Sequence, residues 1–114
     1  MSTPPDHDET AFRLMPERSA VQVEGQDVVL TATQFRILAA LMPEPGRVFS
    51  RDELVKRAFT SLVSGRTVDV HIKELRRKLG PHSWRVETVR GQGYRCLERS
   101  PGSERWHRVR RDGP

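Results

Sequence analysis

Residues 66–79 read RTVDVHIKELRRKL, and this stretch decides how the chain folds. On a helical wheel at about 100° per residue, the aliphatic side chains fall on one stripe. They are Val68, Ile72, Leu75 and Leu79. The opposite side carries Arg and Lys side chains around one β-branched residue, Val70. We therefore predict a helix over residues 66–79 that packs its stripe on a core and presents its cations to solvent.

Two shorter helices are predicted upstream of this segment. Each begins with a capping box, in which a Ser or Thr and a Gln or Glu three residues later satisfy each other's backbone N–H groups. The boxes are Thr31 with Gln34, and Ser50 with Glu53. The third helix is closed by Gly80-Pro81, because Gly supplies a left-handed cap and Pro prevents continuation.

Short β segments flank the helices. Alternating or β-branched runs separated by turn signals predict an antiparallel meander before the first helix. Its strands cover residues 12–14, 20–23 and 27–30. After the third helix, residues 84–89 and 94–97 are strand-like and are joined by a glycine-rich turn that begins at Arg90. The predicted fold class is α+β: three helices, a small N-terminal antiparallel sheet and a C-terminal β-hairpin.

Length and composition exclude several classes of protein. A chain of 114 residues has room for one domain. It lacks an apolar run of about 18 residues that could span a membrane, and its first residues do not form a secretory signal. The single cysteine, Cys96, excludes an internal disulfide, and the histidines are scattered. We expect no metal, no small-molecule cofactor, no membrane partner and no enzymatic activity, in a cytoplasmic protein.

Charge is unevenly distributed along the chain. Residues 1–46 hold three basic and seven acidic residues, whereas residues 47–114 hold 17 basic and eight acidic ones, so the net charges are −4 and +9. A basic half on a small domain favours a polyanionic partner. The leader, residues 1–11, is expected to be disordered, the domain to cover residues 12–99, and the basic tail, residues 100–114, to be flexible. That tail is either an arm along phosphates or a frayed terminus.

The order of the predicted elements is that of a winged helix-turn-helix, in which one helix enters the major groove of DNA and the hairpin reaches a neighbouring groove. An exposed charged helix face is usually only a solvated face. Val70 favours the DNA interpretation, because a thymine methyl in the major groove would receive it. Arg90 at the hairpin tip suits the enhanced negative potential of a narrow minor groove.

Four motifs, in order, resemble the OmpR/PhoB-type effector domain of bacterial response regulators. They are LTATQFRIL at 30–38, GRVFSRDEL at 46–54, RTVDVHI at 66–72 and ETVRGQGYR at 87–95. The resemblance covers residues 12–97. It implies a transcription factor that binds double-stranded DNA. Two copies would bind head to tail on direct repeats, and the protein would be located at the nucleoid.

The resemblance also implies which side chains meet DNA. It places Val70, Lys73 and Glu74 at positions facing bases and Arg90 at the minor-groove position of the wing, and the wheel adds Arg77 to the base-facing set. The resemblance assigns phosphate contacts to Arg66, Thr67, His71 and Arg76. To these we add Lys78, on the flank of the predicted helix, and Thr88, in the predicted hairpin. Glu74 departs from the basic or small polar residues common there. It can accept a hydrogen bond from cytosine N4, or it can simply repel phosphate.

Two other departures leave alternatives open. Eleven residues before the first strand leave no room for a phosphoryl-accepting receiver, so we expect a free-standing regulator, although an excised output domain would look the same. The loop after the second helix is about two residues shorter than usual. Its Leu62 and Val63 either contact a partner such as RNA polymerase or pack on the core. A protein-interaction adaptor that recruits RNA polymerase or another regulator is the second functional hypothesis.

Overall fold

A computed structural model describes residues 12–98, so the predicted leader and the whole basic tail lie outside the described residues. The described residues form three helices and two antiparallel sheets, which confirms the predicted fold class. The strands are β1 Phe12–Met15, β2 Ala20–Val23, β3 Gln26–Val29, β4 Val86–Val89 and β5 Gly93–Cys96. The helices are α1 Ala32–Leu41, α2 Arg51–Ala58 and α3 Gly65–Leu79, and 3-10 turns cover Pro16–Arg18 and Gly80–Arg85.

The N-terminal sheet has the order β1-β2-β3, with Phe12 opposite Val23 and Val23 opposite Gln26. Its inner face contributes Val21 and Val23 to the core, as the alternation in the sequence predicts. The second sheet is the β4-β5 hairpin, with Val89 opposite Gly93.

Both predicted capping boxes are present. The hydroxyl of Thr31 accepts from the Gln34 N–H, and the Gln34 side chain accepts in return from the Thr31 N–H. Ser50 and Glu53 make the same pair of bonds at the start of α2. These local bonds satisfy N–H groups that a helix start otherwise leaves without a partner.

The predicted stripe of α3 is buried, with Val68, Ile72 and Leu75 fully inaccessible and Leu79 nearly so. The helix begins one residue earlier than predicted, at Gly65, because the side chain of Ser64 caps it by accepting from the Thr67 N–H. It ends at Leu79, where Gly80 takes the predicted positive φ, 58°, although its ψ of −122° lies outside the left-handed helical region.

The expected strand over residues 84–89 is wrong for its first two residues. Trp84 and Arg85 belong to the 3-10 turn Gly80–Arg85, which Pro81 helps to set by fixing its own φ. Arg85 is buried, and its guanidinium stacks against the rings of Phe12 and Trp84 at 4.6 and 4.7 Å. Trp84 therefore contacts Arg85 beside the start of the hairpin.

The hairpin is attached to the helices by a bridge that sequence reasoning missed. Phe49 and Tyr94 exchange both backbone N–H···O bonds, at 2.8 and 3.0 Å. Gly93 lies against this bridge, at φ +145°, and a Cβ there would stand 2.0 Å from the Phe49 carbonyl oxygen. The glycine permits the two backbones to approach closely at this point.

Among the described residues, none of the helices has the length and apolar character needed to span a membrane.

Candidate nucleic-acid interface

The exposed side of α3 carries the four predicted base-facing residues of this helix together with Arg66, a predicted phosphate residue. We call this surface the reading face: Arg66, Val70, Lys73, Glu74 and Arg77. Val70 is 56% exposed although it is apolar, and Arg66, Lys73 and Arg77 are exposed around it. Because the buried stripe fixes the opposite side of the helix in the core, the orientation of this face is set by packing.

Glu74 and Arg77 form an ion pair within the reading face. Both Nε and Nη2 of Arg77 lie 2.9 Å from the same oxygen, Oε1 of Glu74. The side chains remain 43% and 68% exposed, respectively. The negative charge that looked out of place in the sequence therefore has a cation beside it.

Arg76 joins α3 to the wing, which we define as residues 86–96. Its Nε donates to the carbonyl of Val86 at 2.9 Å, and its Nη2 donates to the Thr88 hydroxyl at 2.7 Å. Two of the predicted phosphate residues, Arg76 and Thr88, thus touch each other. The contact sets the wing at a defined place beside the reading face.

The other predicted phosphate residues differ in their surroundings. Lys78 is half-buried and donates to Gln34 Oε1 at 2.9 Å, which directs its charge toward the start of α1. His71 packs edge-on against Phe59, with ring centroids 5.1 Å apart. Thr67 lies in the first turn of α3, within 3.3 Å of its capping residue. Their contacts with phosphate stay predictions.

A hydrogen-bond network on the flank of α3, beside the reading face, was not predicted from the sequence. Asp69 Oδ1 accepts from Arg51 Nε at 2.7 Å and from the Tyr94 hydroxyl at 2.6 Å, joining α2, α3 and β5. The hydrogen bond from Arg51 lowers the pKa of Asp69. Burial, followed by the hydrogen bond to Asp69, raises the pKa of Tyr94. Arg51 and Tyr94 lie 18 and 25 positions from Asp69 in the sequence, so no local pattern could predict these contacts. Both residues nevertheless belong to two of the four family motifs.

Arg51 is the one functional candidate this network adds. It lies at the first position of α2, remains 45% exposed, and stands with Arg76 near the ring of Tyr94. Arg90, by contrast, lies where the sequence predicts, exposed in the turn between β4 and β5.

The loop between α2 and α3 divides its two apolar residues. Val63 packs against the core, as one of the two alternatives expected. Leu62 is 89% exposed. Binding of a partner by this loop stays a prediction. Of its two apolar residues, Leu62 is the one exposed enough to contact a partner.

Metal binding and thiol reactivity have little support among residues 12–98. They contain no group of three or more His, Cys, Asp or Glu side chains that could hold a metal ion. Cys96 is buried, and burial raises the pKa of its thiol to about 11, so the thiolate is scarce at neutral pH. The distinctive surface of the described residues is the cationic one on α3 and the wing.

Known proteins are similar to this chain in sequence and in fold. The family described as "Transcriptional regulatory protein, C terminal" matches residues 25–96. CseB, a transcriptional regulatory protein of Streptomyces avermitilis, is 43% identical over 81 residues, which cover 69% of this chain and 34% of CseB. The phosphate regulon transcriptional regulatory protein PhoB of Escherichia coli is 40% identical over 90 residues, covering 75% of this chain and 39% of PhoB.

A solved structure extends the likeness to three dimensions. The DNA-binding domain of the response regulator AdeR, crystallised in complex with an intercistronic region, superposes with a TM-score of 0.69 at 31% identity. The alignment covers 75% of this chain and 93% of the AdeR domain. The chain spans little more than a third of the length of CseB and PhoB, so it corresponds to one part of such proteins. It belongs to the OmpR/PhoB-type family of transcriptional regulatory protein C-terminal domains, as its four motifs predict.

Proposed function

We propose that this protein binds double-stranded DNA sequence-specifically and thereby regulates transcription. Helix α3 enters the major groove with its reading face, and the turn at Arg90 enters the adjacent minor groove. Such a regulator acts at the nucleoid, in the cytoplasm. A non-enzymatic role is consistent with the family, whose members are transcriptional regulatory proteins.

The observation that carries the proposal is the contrast between the two sides of α3. One side is sealed into the core, while the other exposes an apolar residue, Val70, among cations. A valine there gains nothing from water, whereas the methyl group of a thymine in the major groove offers it apolar contact. A solvated face would have no use for it.

Contacts divide into two kinds with different consequences. Val70, Lys73 and Arg77 read base edges from α3, and Arg90 reads the minor groove. Phosphates are met by Arg66, Thr67, His71, Arg76, Lys78, Thr88 and Arg51. Of these, Lys78 has the weakest support, because its ammonium is engaged by Gln34. Phosphate contacts fix position and affinity, and base contacts choose the sequence.

The test begins with selection of a preferred duplex from a random library by the full chain. Fluorescence anisotropy at two salt concentrations then compares wild type with Lys73→Ala, Arg90→Ala and Arg66→Ala. Loss of a base-reading side chain should cost about 1–3 kcal/mol at particular positions, whereas Arg66→Ala should weaken all duplexes and lower the salt slope by about 1. Arg13→Ala, at an exposed cation of β1, is the matched control. Equal binding to every duplex contradicts the proposal.

Two copies on a direct repeat complete the proposed arrangement. A duplex with two half-sites should bind two chains, and the second should depend on spacing in steps of one helical turn, about 10–10.5 base pairs. Analytical ultracentrifugation of the complex measures this stoichiometry. One chain per two-site duplex would remove the repeat from the proposal.

A second candidate function rests on Leu62, which is 89% exposed in the loop between α2 and α3. An isolated exposed leucine in this loop suits contact with a protein partner such as RNA polymerase. Purified polymerase should then be retained by wild type and lost with Leu62→Ser in a nuclease-treated binding assay. Retention by both chains, or by neither, contradicts this role.

A further inference from the structure

A glutamate on a surface that meets DNA needs an explanation, because its charge opposes the phosphates. Glu74 lies within the reading face, beside the row made by Val70, Lys73 and Arg77 at positions i, i+3 and i+7. Its carboxylate is partly exposed, but it also accepts from Arg77, so its charge has a local partner within the reading face.

The geometry of this pair uses one edge of the guanidinium. Nε and Nη2 of Arg77 both lie 2.9 Å from Glu74 Oε1. A guanidinium has five N–H donors in a fixed planar fork, so one edge can be held by a carboxylate while others remain for a second acceptor. Arg77 is 68% exposed, which leaves the rest of the group accessible from the groove.

We propose that Glu74 is a positioning residue that braces Arg77 to read a guanine, and that it does not read a base itself. This inference rests on the proposed DNA-binding function. Guanine is the base concerned, because its N7 and O6 are paired acceptors in the major groove and match the arginine fork. Lysine, a point charge on a flexible stem, would not be oriented by such a brace.

In the free protein the ion pair between Glu74 and Arg77 contributes little to folding stability, because an ion pair this exposed is screened by water. Inside a groove, water is displaced and the effective dielectric constant falls, so the same contact becomes stronger. It also restricts the rotamers of a long side chain before binding, which reduces the entropy lost when the base is contacted. The effect therefore appears in discrimination between bases, and hardly at all in folding stability.

The separation of Val70 and Arg77 along α3 limits how far apart their two bases lie in the preferred duplex. Val70 and Arg77 are seven residues apart, which is roughly 10.5 Å along a helix. Base pairs rise by about 3.4 Å along the DNA axis, so this separation spans at most about three steps, because a helix in the groove runs obliquely to that axis. The preferred duplex should contain a thymine contacted by Val70 and a guanine contacted by Arg77, at most about three steps apart.

The test uses the full chain and the duplex selected by wild type, with each candidate guanine pair replaced in turn. Dissociation constants are measured by anisotropy for wild type, Arg77→Lys, Glu74→Gln and the double variant. Arg77→Lys keeps the charge and removes the fork, and Glu74→Gln keeps the size but replaces the charged acceptor with a weaker neutral one, which weakens the brace. Arg77→Lys should lose about tenfold or more in preference at one guanine. Glu74→Gln should lose part of that preference at the same guanine. The double variant should lose no more than Arg77→Lys alone.

A second signature separates bracing from simple repulsion. Glu74→Gln should bind unrelated duplexes several-fold more tightly, since a negative charge is gone, while discriminating less at that one guanine. Arg13→Gln, an exposed cation of β1, should leave discrimination unchanged. Loss of preference at a different base pair, which Arg77→Lys leaves unaffected, would instead make Glu74 a reader of cytosine N4 and overturn the inference.

The failure of this inference and that of the proposed function are distinguishable. If wild type prefers one duplex and Glu74→Gln keeps the full guanine preference, only the brace is refuted. If wild type binds all duplexes alike, the proposed function fails, and the brace fails with it.

Discussion

The hydroxyl of Tyr94 in β5 donates a 2.6 Å hydrogen bond to Asp69 in α3, so the wing and the reading helix share one carboxylate. Arg51 of α2 donates to the same oxygen. Three elements that are distant in sequence therefore converge beside the reading face. Tyr94 is 95% inaccessible, and its hydroxyl has a partner inside the protein, so the hydroxyl stabilises the fold.

Replacing Tyr94 with phenylalanine removes that hydrogen bond and keeps the ring. We expect the free energy of unfolding to fall by about 1–2 kcal/mol, because the bond has a charged acceptor but Asp69 keeps Arg51. Urea denaturation at pH 7 measures the loss. An unchanged midpoint and slope would mean that the hydroxyl contributes nothing to the fold.

Acid stability should depend on Asp69. The Arg51 hydrogen bond lowers the pKa of this carboxyl below its ordinary value of 3.8, so the folded state holds the proton less tightly than the unfolded state. The resulting stabilisation is present above the unfolded value and is lost as the pH falls through 3.8 toward the folded pKa. Since both side chains are largely exposed, water screens the pair and this stabilisation is small.

Asp69→Asn should therefore flatten the decline in stability between about pH 5 and pH 2, relative to its own value at pH 7. Arg51→Gln, which removes the main cause of the shift, should flatten it in part. Thermal melts across this pH range provide the measurement. An acid limb as steep in Asp69→Asn as in wild type would refute the assignment.

Two glycines of the wing should respond very differently to alanine. At Gly93 a Cβ would stand 2.0 Å from the Phe49 carbonyl oxygen, and the φ of +145° is rarely adopted by other residues. At Gly91, with φ +78°, nothing lies within 4 Å of the added atom. Gly91→Ala should cost about 1–2 kcal/mol of backbone strain, and Gly93→Ala at least about twice that. Equal losses in urea denaturation would show that the bridge to Phe49 yields easily.

The features predictable from sequence are those encoded within a few residues. A capping box needs a spacing of three, and the stripe of α3 repeats every three or four residues, so Thr31, Ser50 and the stripe could be recognised directly. The exposure of Val70 followed from the same wheel, since burying one side of a helix settles the other.

Contacts between distant segments could not be predicted in this way. The bridge between Phe49 and Tyr94 depends on how the hairpin docks, which no local pattern specifies. Residues 84 and 85 had the alternation of a strand, but the Gly80-Pro81 pair continues into a 3-10 turn, and packing buries Arg85 between two rings. Tertiary contacts overrode a weak local preference there.

The contact of Arg76 with the wing gives the last prediction. Arg76→Lys keeps the charge but cannot donate in the same fork to Val86 and Thr88. We expect a loss of about 1 kcal/mol in unfolding free energy and weaker binding to all duplexes, because the wing is no longer held beside α3. Urea denaturation and anisotropy on one selected and one unrelated duplex measure both effects.

A double-mutant cycle separates this contact from a general effect of the substitution. Thr88→Val removes the acceptor at nearly constant shape, so its loss and that of Arg76→Lys should overlap by about 0.5 kcal/mol or more in the double variant. Strictly additive losses would mean that the two side chains do not interact. Coupling between the two substitutions in DNA affinity as well as in stability would show that the orientation of the wing affects affinity. The charge of Arg76 would then not be the only contribution of this residue to DNA binding.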